Sequence, residues 1–211
     1  MRRDSTPRAA VLAVLAGLST VLAIGAGVPQ RARGPATKTT TAATCAAELG
    51  TGQKSGRQFC DVILATTAAA SIAMTIPAHR GAATLSFDLH NRFAVPPESM
   101  DVAHAFARQA AVVSVIGPKG EIGKAVAVGE FRTAADLFDR IGGGAGLGGV
   151  KAVGPGPATP IEITIPIGVT SVGIVGVRLD VTTRLGDQRY DTPGRPIAIA
   201  SDMKIEYTPS R

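Results

Sequence analysis

The chain contains no tryptophan, and its 211 residues include only two tyrosines and six phenylalanines. Nucleobases stack on exposed aromatic rings and sugars lie flat against them, so both ligand classes lose their usual platforms here. Charge does not replace them. The formal net charge is +6, but Arg2, Arg3, Arg8, Arg31 and Arg33 face Asp4 alone in the first 33 residues, and the remainder holds 17 basic and 15 acidic side chains. A nearly neutral body without stacking platforms excludes a nucleic-acid partner, because such binding rests on phosphate neutralisation. Three histidines and two cysteines are too few and too scattered for a zinc centre, and no CxxC, HExxH or GxSxG occurs. The carboxylates form no close pair in sequence for general acid and base work. No cofactor is expected, and the chain is not expected to be an enzyme.

What is abundant at the front is apolar residues. Residues 2–8 are basic on balance, and residues 9–28 (AAVLAVLAGLSTVLAIGAGV) are uncharged, with small residues toward the end. This pattern is an export signal spanning residues 1–28. The alternative is an uncleaved signal anchor, since a run of 20 apolar residues also spans a bilayer. The small residues Ala23, Gly25 and Ala26 favour cleavage. Arg2 and Arg3 make a poor twin-arginine signal because Asp4, Ser5 and Thr6 follow them. Either way the body is expected in the periplasm or outside the cell, with the membrane as a partner only if the N-terminal segment stays uncut. Residues 29–44 (PQRARGPATKTTTAAT) have almost no large apolar side chain and read as a disordered Pro/Thr/Ala-rich stalk. The folded domain is expected over residues 45–211.

In an exported chain, Cys45 and Cys60 read as a disulfide. Beyond them the apolar periodicity is two. Leu85, Phe87 and Leu89 alternate with Ser86, Asp88 and His90, and the same pattern runs through Ile161–Ile167, Val175–Leu185 and Ile197–Tyr207. Strands with one dry and one wet face build antiparallel sheets that pack face to face. Gly117-Pro118-Lys119-Gly120 predicts a hairpin turn, and Thr133 with Asp136 predicts a capped helical turn. The expectation is an all-β fold, a single antiparallel β-sandwich of immunoglobulin-like or jelly-roll type, with about seven strands and one short helix. The turn at Ile165–Gly168 and the closing alternation resemble secreted bacterial β-sandwich modules as a class, and no motif names a family within it.

Four stretches carry chemistry worth testing. Gly144, Gly146 and Gly149 spell GxGxxG, but VKAVGPGPATP follows where a dinucleotide site needs a helix, so the motif is rejected. Gly117–Lys124 resembles a phosphate loop only superficially, with Pro118 and Ala125 at the positions that need Gly and Ser or Thr. Ser86, Asp88 and His90 share one strand face about 6.5–7 Å apart, too far for a hydrogen-bonded triad. Partners from elsewhere would be His79, Asp101 or His104, and Asp88 with His90 is at best a weak metal site. The segment Gly186–Pro196 reads as a loop between strong strands, and it concentrates Asp187, Arg189, Tyr190, Asp191 and Arg195. A rim loop of this composition suits recognition of a glycan or an acidic partner, and its two aspartates suit calcium. The expected role is a structural or interaction module of the envelope or extracellular space. The alternative is a carbohydrate- or calcium-binding module using residues 186–196.

Overall fold

The computed structural model describes residues 37–40, 43–95 and 106–210. The expected export signal, the start of the stalk segment, Asp101 and His104 lie outside these residues. Among them no helix is long and apolar enough to cross a membrane.

The fold is all-β, with thirteen antiparallel strands in two sheets among the described residues. The first sheet is built on the order β10 (Thr159–Ile165), β6 (Ala83–Ala94), β13 (Pro196–Tyr207), β4 (Gln58–Ile63) and β3 (Glu48–Thr51). Strand β1 (Lys38–Thr40) extends it on β13, and β9 (Val153–Pro155) extends it on β6. The second sheet has the order β2 (Ala43–Thr44), β5 (Ile72–Thr75), β11 (Ser171–Thr183), β7 (Ala107–Gly117) and β8 (Gly120–Phe131), with β12 (Gly186–Tyr190) on β11.

Alternation explains why these segments become strands and which face they bury. Leu85 and Leu89 of β6, Val113 and Val115 of β7, Ile174 of β11 and Ile205 of β13 lose essentially all contact with solvent, and they belong to one cluster fed by both sheets. Asn91 ties the sheets together with a polar link, its amide donating to the carbonyls of Gln109 at 3.3 Å and Ala127 at 3.1 Å. The disulfide joins Cys45, just after β2 of the second sheet, to Cys60 in β4 of the first. It therefore fastens one sheet to the other.

Several expectations change in detail. Thirteen strands are present among the described residues where about seven are expected, because β1, β2, β3, β9 and β12 are too short to leave a periodic trace. Where a single short helix is expected, the described residues hold three 3-10 turns, Ala68–Ala70, Ala134–Asp136 and Leu147–Gly149. The second carries the full Thr133/Asp136 capping box. Lys38–Thr40 and Ala43–Thr44, inside the segment read as stalk, pair with β13 and β5. The paired region thus begins by Lys38.

Candidate functional site

The outer face of the first sheet is not left to solvent. Residues 137–153 fold across it and make a second, smaller core in which Leu49, Phe59, Ile141 and Ile199 are buried, with Phe138 and Val153 packed against them. Asp139 fixes this cover. Its buried carboxylate accepts the backbone N–H groups of Lys54 at 3.0 Å, Ser55 at 2.8 Å and Arg140 at 2.6 Å. Burial pushes the Asp139 carboxyl up in pKa, but the hydrogen bonds from Ser55, Lys54 and Arg140 outweigh that and hold it below the usual carboxylate value.

Beside this small core opens a cleft of about 830 Å³. Its floor includes Glu48 of β3, Asp61 of β4 and Arg92 of β6, and its wall is the glycine-rich segment with Arg140 and Lys151. Arg92 grips Asp61 through two contacts, Nε to Oδ1 at 2.8 Å and Nη2 to Oδ2 at 3.4 Å. That pair is largely self-neutralising. Arg140 is different: its Nη1 is buried and has no hydrogen-bond partner. A buried donor without an acceptor costs on the order of 1–3 kcal/mol, and more when charged.

The GxGxxG segment thus lines the cleft, yet its glycines serve packing. A Cβ on Gly144 would lie 2.4 Å from the Val150 carbonyl oxygen, and one on Gly146 would lie 2.7 Å from the same atom. The loop closes on itself, the Gly144 N–H donating to the Gly149 carbonyl at 2.9 Å and the Gly149 N–H to the Gly146 carbonyl at 2.9 Å. No long helix follows it, and the chain runs into β9.

His90 sits beneath the same cover, fully buried between Phe59 and Phe138. Its Nδ1 faces the Gly156 carbonyl at 2.8 Å and its Nε2 faces Ser201 Oγ at 2.9 Å. A carbonyl only accepts, so Nδ1 carries the proton and the Ser201 hydroxyl donates to Nε2. Burial lowers the His90 pKa, and the Gly156 contact and Asp88 only partly offset it, so the ring is neutral at neutral pH. Asp88 is turned to Arg57, whose Nη1 lies 2.6 Å from its Oδ2. Asp88 and His90 are therefore engaged separately, and Ser86 joins neither. His79 contacts the Pro77 carbonyl through Nδ1 at 2.9 Å. Among the described residues no three His, Cys, Asp or Glu side chains gather as a metal site.

The stretch Gly186–Pro196 is not simply a loop. Gly186–Tyr190 forms β12, paired with β11 from Thr183 to Leu179, so Asp187 and Arg189 stand on an edge strand. Arg189 Nε donates to Asp180 Oδ1 at 2.7 Å, and Arg178 Nε donates to Asp180 Oδ2 at 2.9 Å. These contacts, that from Arg189 first, hold the Asp180 carboxyl below its usual pKa. Tyr190 has the Arg195 guanidinium 3.7 Å from its ring centroid, and its hydroxyl bonds Gln188. One face of the ring is thereby taken. Asp191 and Arg195 lie in the connection to β13. The five residues are neighbours, but three of them are committed to partners within the protein.

Sequence reasoning did not single out Arg92, Arg140, Lys151 or Asp139. Only the glycine-rich wall of the cleft carried a signal. No protein-family model matches the chain, and none of the curated proteins is detectably similar to it in sequence.

Proposed function

We propose that this protein is an exported, non-enzymatic β-sandwich module, of the immunoglobulin-like or jelly-roll group, that receives an acidic group of an envelope or extracellular partner in the cleft under its glycine-rich loop. The observation that carries this reading is the meeting of Arg92, Arg140 and Lys151 around one cleft, with the Nη1 of Arg140 left without an acceptor inside the protein. Export is supported by the basic and apolar segment over residues 1–28 and by the Cys45–Cys60 disulfide, a bond that persists in oxidising compartments. The non-enzymatic reading is supported by the burial of the Ser201–His90 pair, since both side chains are closed to substrate. Open cleft, mixed charge and apolar walls at Leu49, Val95 and Val153 suit a carboxylate-bearing polymer better than a small ion.

The test is thermal unfolding of the exported protein with polyglutamate, polygalacturonate and neutral dextran. A ligand at about 100 times its dissociation constant stabilises by about 2.7 kcal/mol. Either acidic polymer is expected to raise the midpoint, dextran to leave it unchanged, and R140Q with K151Q to remove the effect. Equal shifts in the double variant would refute the assignment of the cleft.

A further inference from the structure

We propose that the free edge of β8 is a self-association surface, through which two copies of this chain pair strand to strand about a twofold axis at Ala127. Strand β8 is a terminal strand of its sheet, hydrogen-bonded to β7 on one side, and among the described residues nothing pairs with its other side. Such an edge presents a row of open main-chain donors and acceptors.

The other edges of the fold are guarded or too short to recruit a strand. Strand β10 carries Pro160, which has no N–H to offer, and Pro166 follows its end. Strands β1 and β2 have three and two residues. Strand β3 is broken by a register shift between Glu48 and Gly50, and β12 has five residues with Asp187 and Arg189 exposed on one face. Strand β8 has twelve residues, contains no proline, and keeps regular register with β7 from Gly123 to Phe131. Among the described residues it is the long edge with neither a proline nor a break in register over nine successive residues, Gly123–Phe131.

Its side chains are also self-complementary. The outward face carries Lys124, Val126, Val128 and Glu130, and the two valines are 46% and 55% exposed. In antiparallel pairing about Ala127, Val126 meets Val128 of the second copy and Lys124 meets Glu130 of the second copy, each contact made twice. Within one chain Lys124 Nζ lies 3.2 Å from Glu121, and Arg132 Nη2 lies 3.0 Å from Glu130. Pairing joins these into alternating rows of Glu121, Lys124, Glu130 and Arg132. The inward positions Gly123, Ala125, Ala127 and Gly129 are small and packed against Ile163, Asn91 and Phe93 of the first sheet, and Phe131 closes the row as a buried ring, so the face offered to a second copy is the outward one. Pairing over residues 123–131 adds about eight main-chain hydrogen bonds. A twofold contact of this kind closes on itself, so the product is a dimer with one continuous sheet and not a fibre.

The cleft lies on the other sheet, so the two proposals stand or fall separately. The full chain is expressed, the exported protein recovered, and its mass measured by light scattering across micromolar to near-millimolar concentration. The expected result is a dimer. K124E and E130K each set like charges together twice and are expected to weaken the dimer at least about tenfold, whereas the double variant exchanges the signs and restores it. Both positions are exposed, and recovery in the double variant also shows that neither change prevents folding. Amide hydrogen exchange adds a readout on the unmodified protein, namely concentration-dependent protection within residues 124–130. A monomer at all concentrations, a mass beyond the dimer, a dimer indifferent to both single changes, or a double variant that stays monomeric would overturn the proposal.

Discussion

Asp139 offers the sharpest test of how the cover over the first sheet is held. D139A removes one buried carboxylate and the acceptor for three backbone N–H groups, those of Lys54, Ser55 and Arg140. Hydrogen bonds to a charged group contribute about 1.5–3 kcal/mol each. Lys54 and Ser55 are exposed, so their N–H groups turn to water when the acceptor is lost, and removal also ends the cost of burying a charge. About 1 kcal/mol for each bond is then the appropriate scale, or about 3 kcal/mol in total. For a domain of this size 1 kcal/mol shifts the midpoint by about 2–4 °C, so D139A is expected to melt about 6–12 °C below the parent. D139N keeps one acceptor oxygen but points an amide at an N–H donor, and should lose roughly half as much. The folded-state pKa of Asp139 lies below its ordinary value near 3.8, so its contribution is complete above that pH and is lost as pH falls beneath it. Thermal scans of the oxidised protein from pH 7 to pH 3 should therefore show the gap between parent and D139A narrowing at the acid end. A D139A midpoint within a degree of the parent at pH 7 would refute the reasoning.

Two further outcomes are expected. C45S with C60S should lower stability by about 3 kcal/mol, the chain-entropy figure for a loop of this length, as measured by denaturant unfolding against the oxidised parent. His90 has its pKa lowered from the ordinary 6.5, so the folded state binds fewer protons than the unfolded chain just below that pH. Stability should be highest above about pH 6.5 and should fall as pH drops toward the folded-state value; H90Q should flatten the midpoint curve between pH 7 and pH 5, and an unchanged slope would count against a neutral His90.

The parts of the fold that the sequence announces are those with a dry face. In β6, Leu85, Phe87 and Leu89 must reach the shared core, which forces polar residues onto the alternate positions and makes the strand readable. The β7–β8 turn and the Thr133–Asp136 cap are readable because each rests on local chemistry within four residues. Strand β12 is not, because Gly186–Arg189 is exposed on both faces and is held to β11 by main-chain pairing and the Arg189–Asp180 contact, with no apolar residue buried to leave a pattern. The cleft escapes for a different reason. Arg92, Arg140 and Lys151 meet only because residues 137–153 fold back over the outer face of the first sheet, and that return depends on Phe138 and Ile141 finding Phe59 and Ile199. No local pattern encodes an encounter between segments so far apart.

The placement of the disulfide bears on how the domain would carry a mechanical load. A pull applied to the chain ahead of Lys38 is met first by β1 and β2, short strands that peel apart bond by bond. Unravelling from that end stops at Cys45, where tension passes through a covalent bond into Cys60 on β4, a strand flanked by β3 and β13. From there the force is shared across the interior of the first sheet, and the slack that can be drawn out of the folded region is limited to the few residues between Lys38 and Cys45. Reduction would remove that stop and let the same pull reach β3 and β4 as peelable strands. Oxidation state thus sets the extensibility of the domain's leading end.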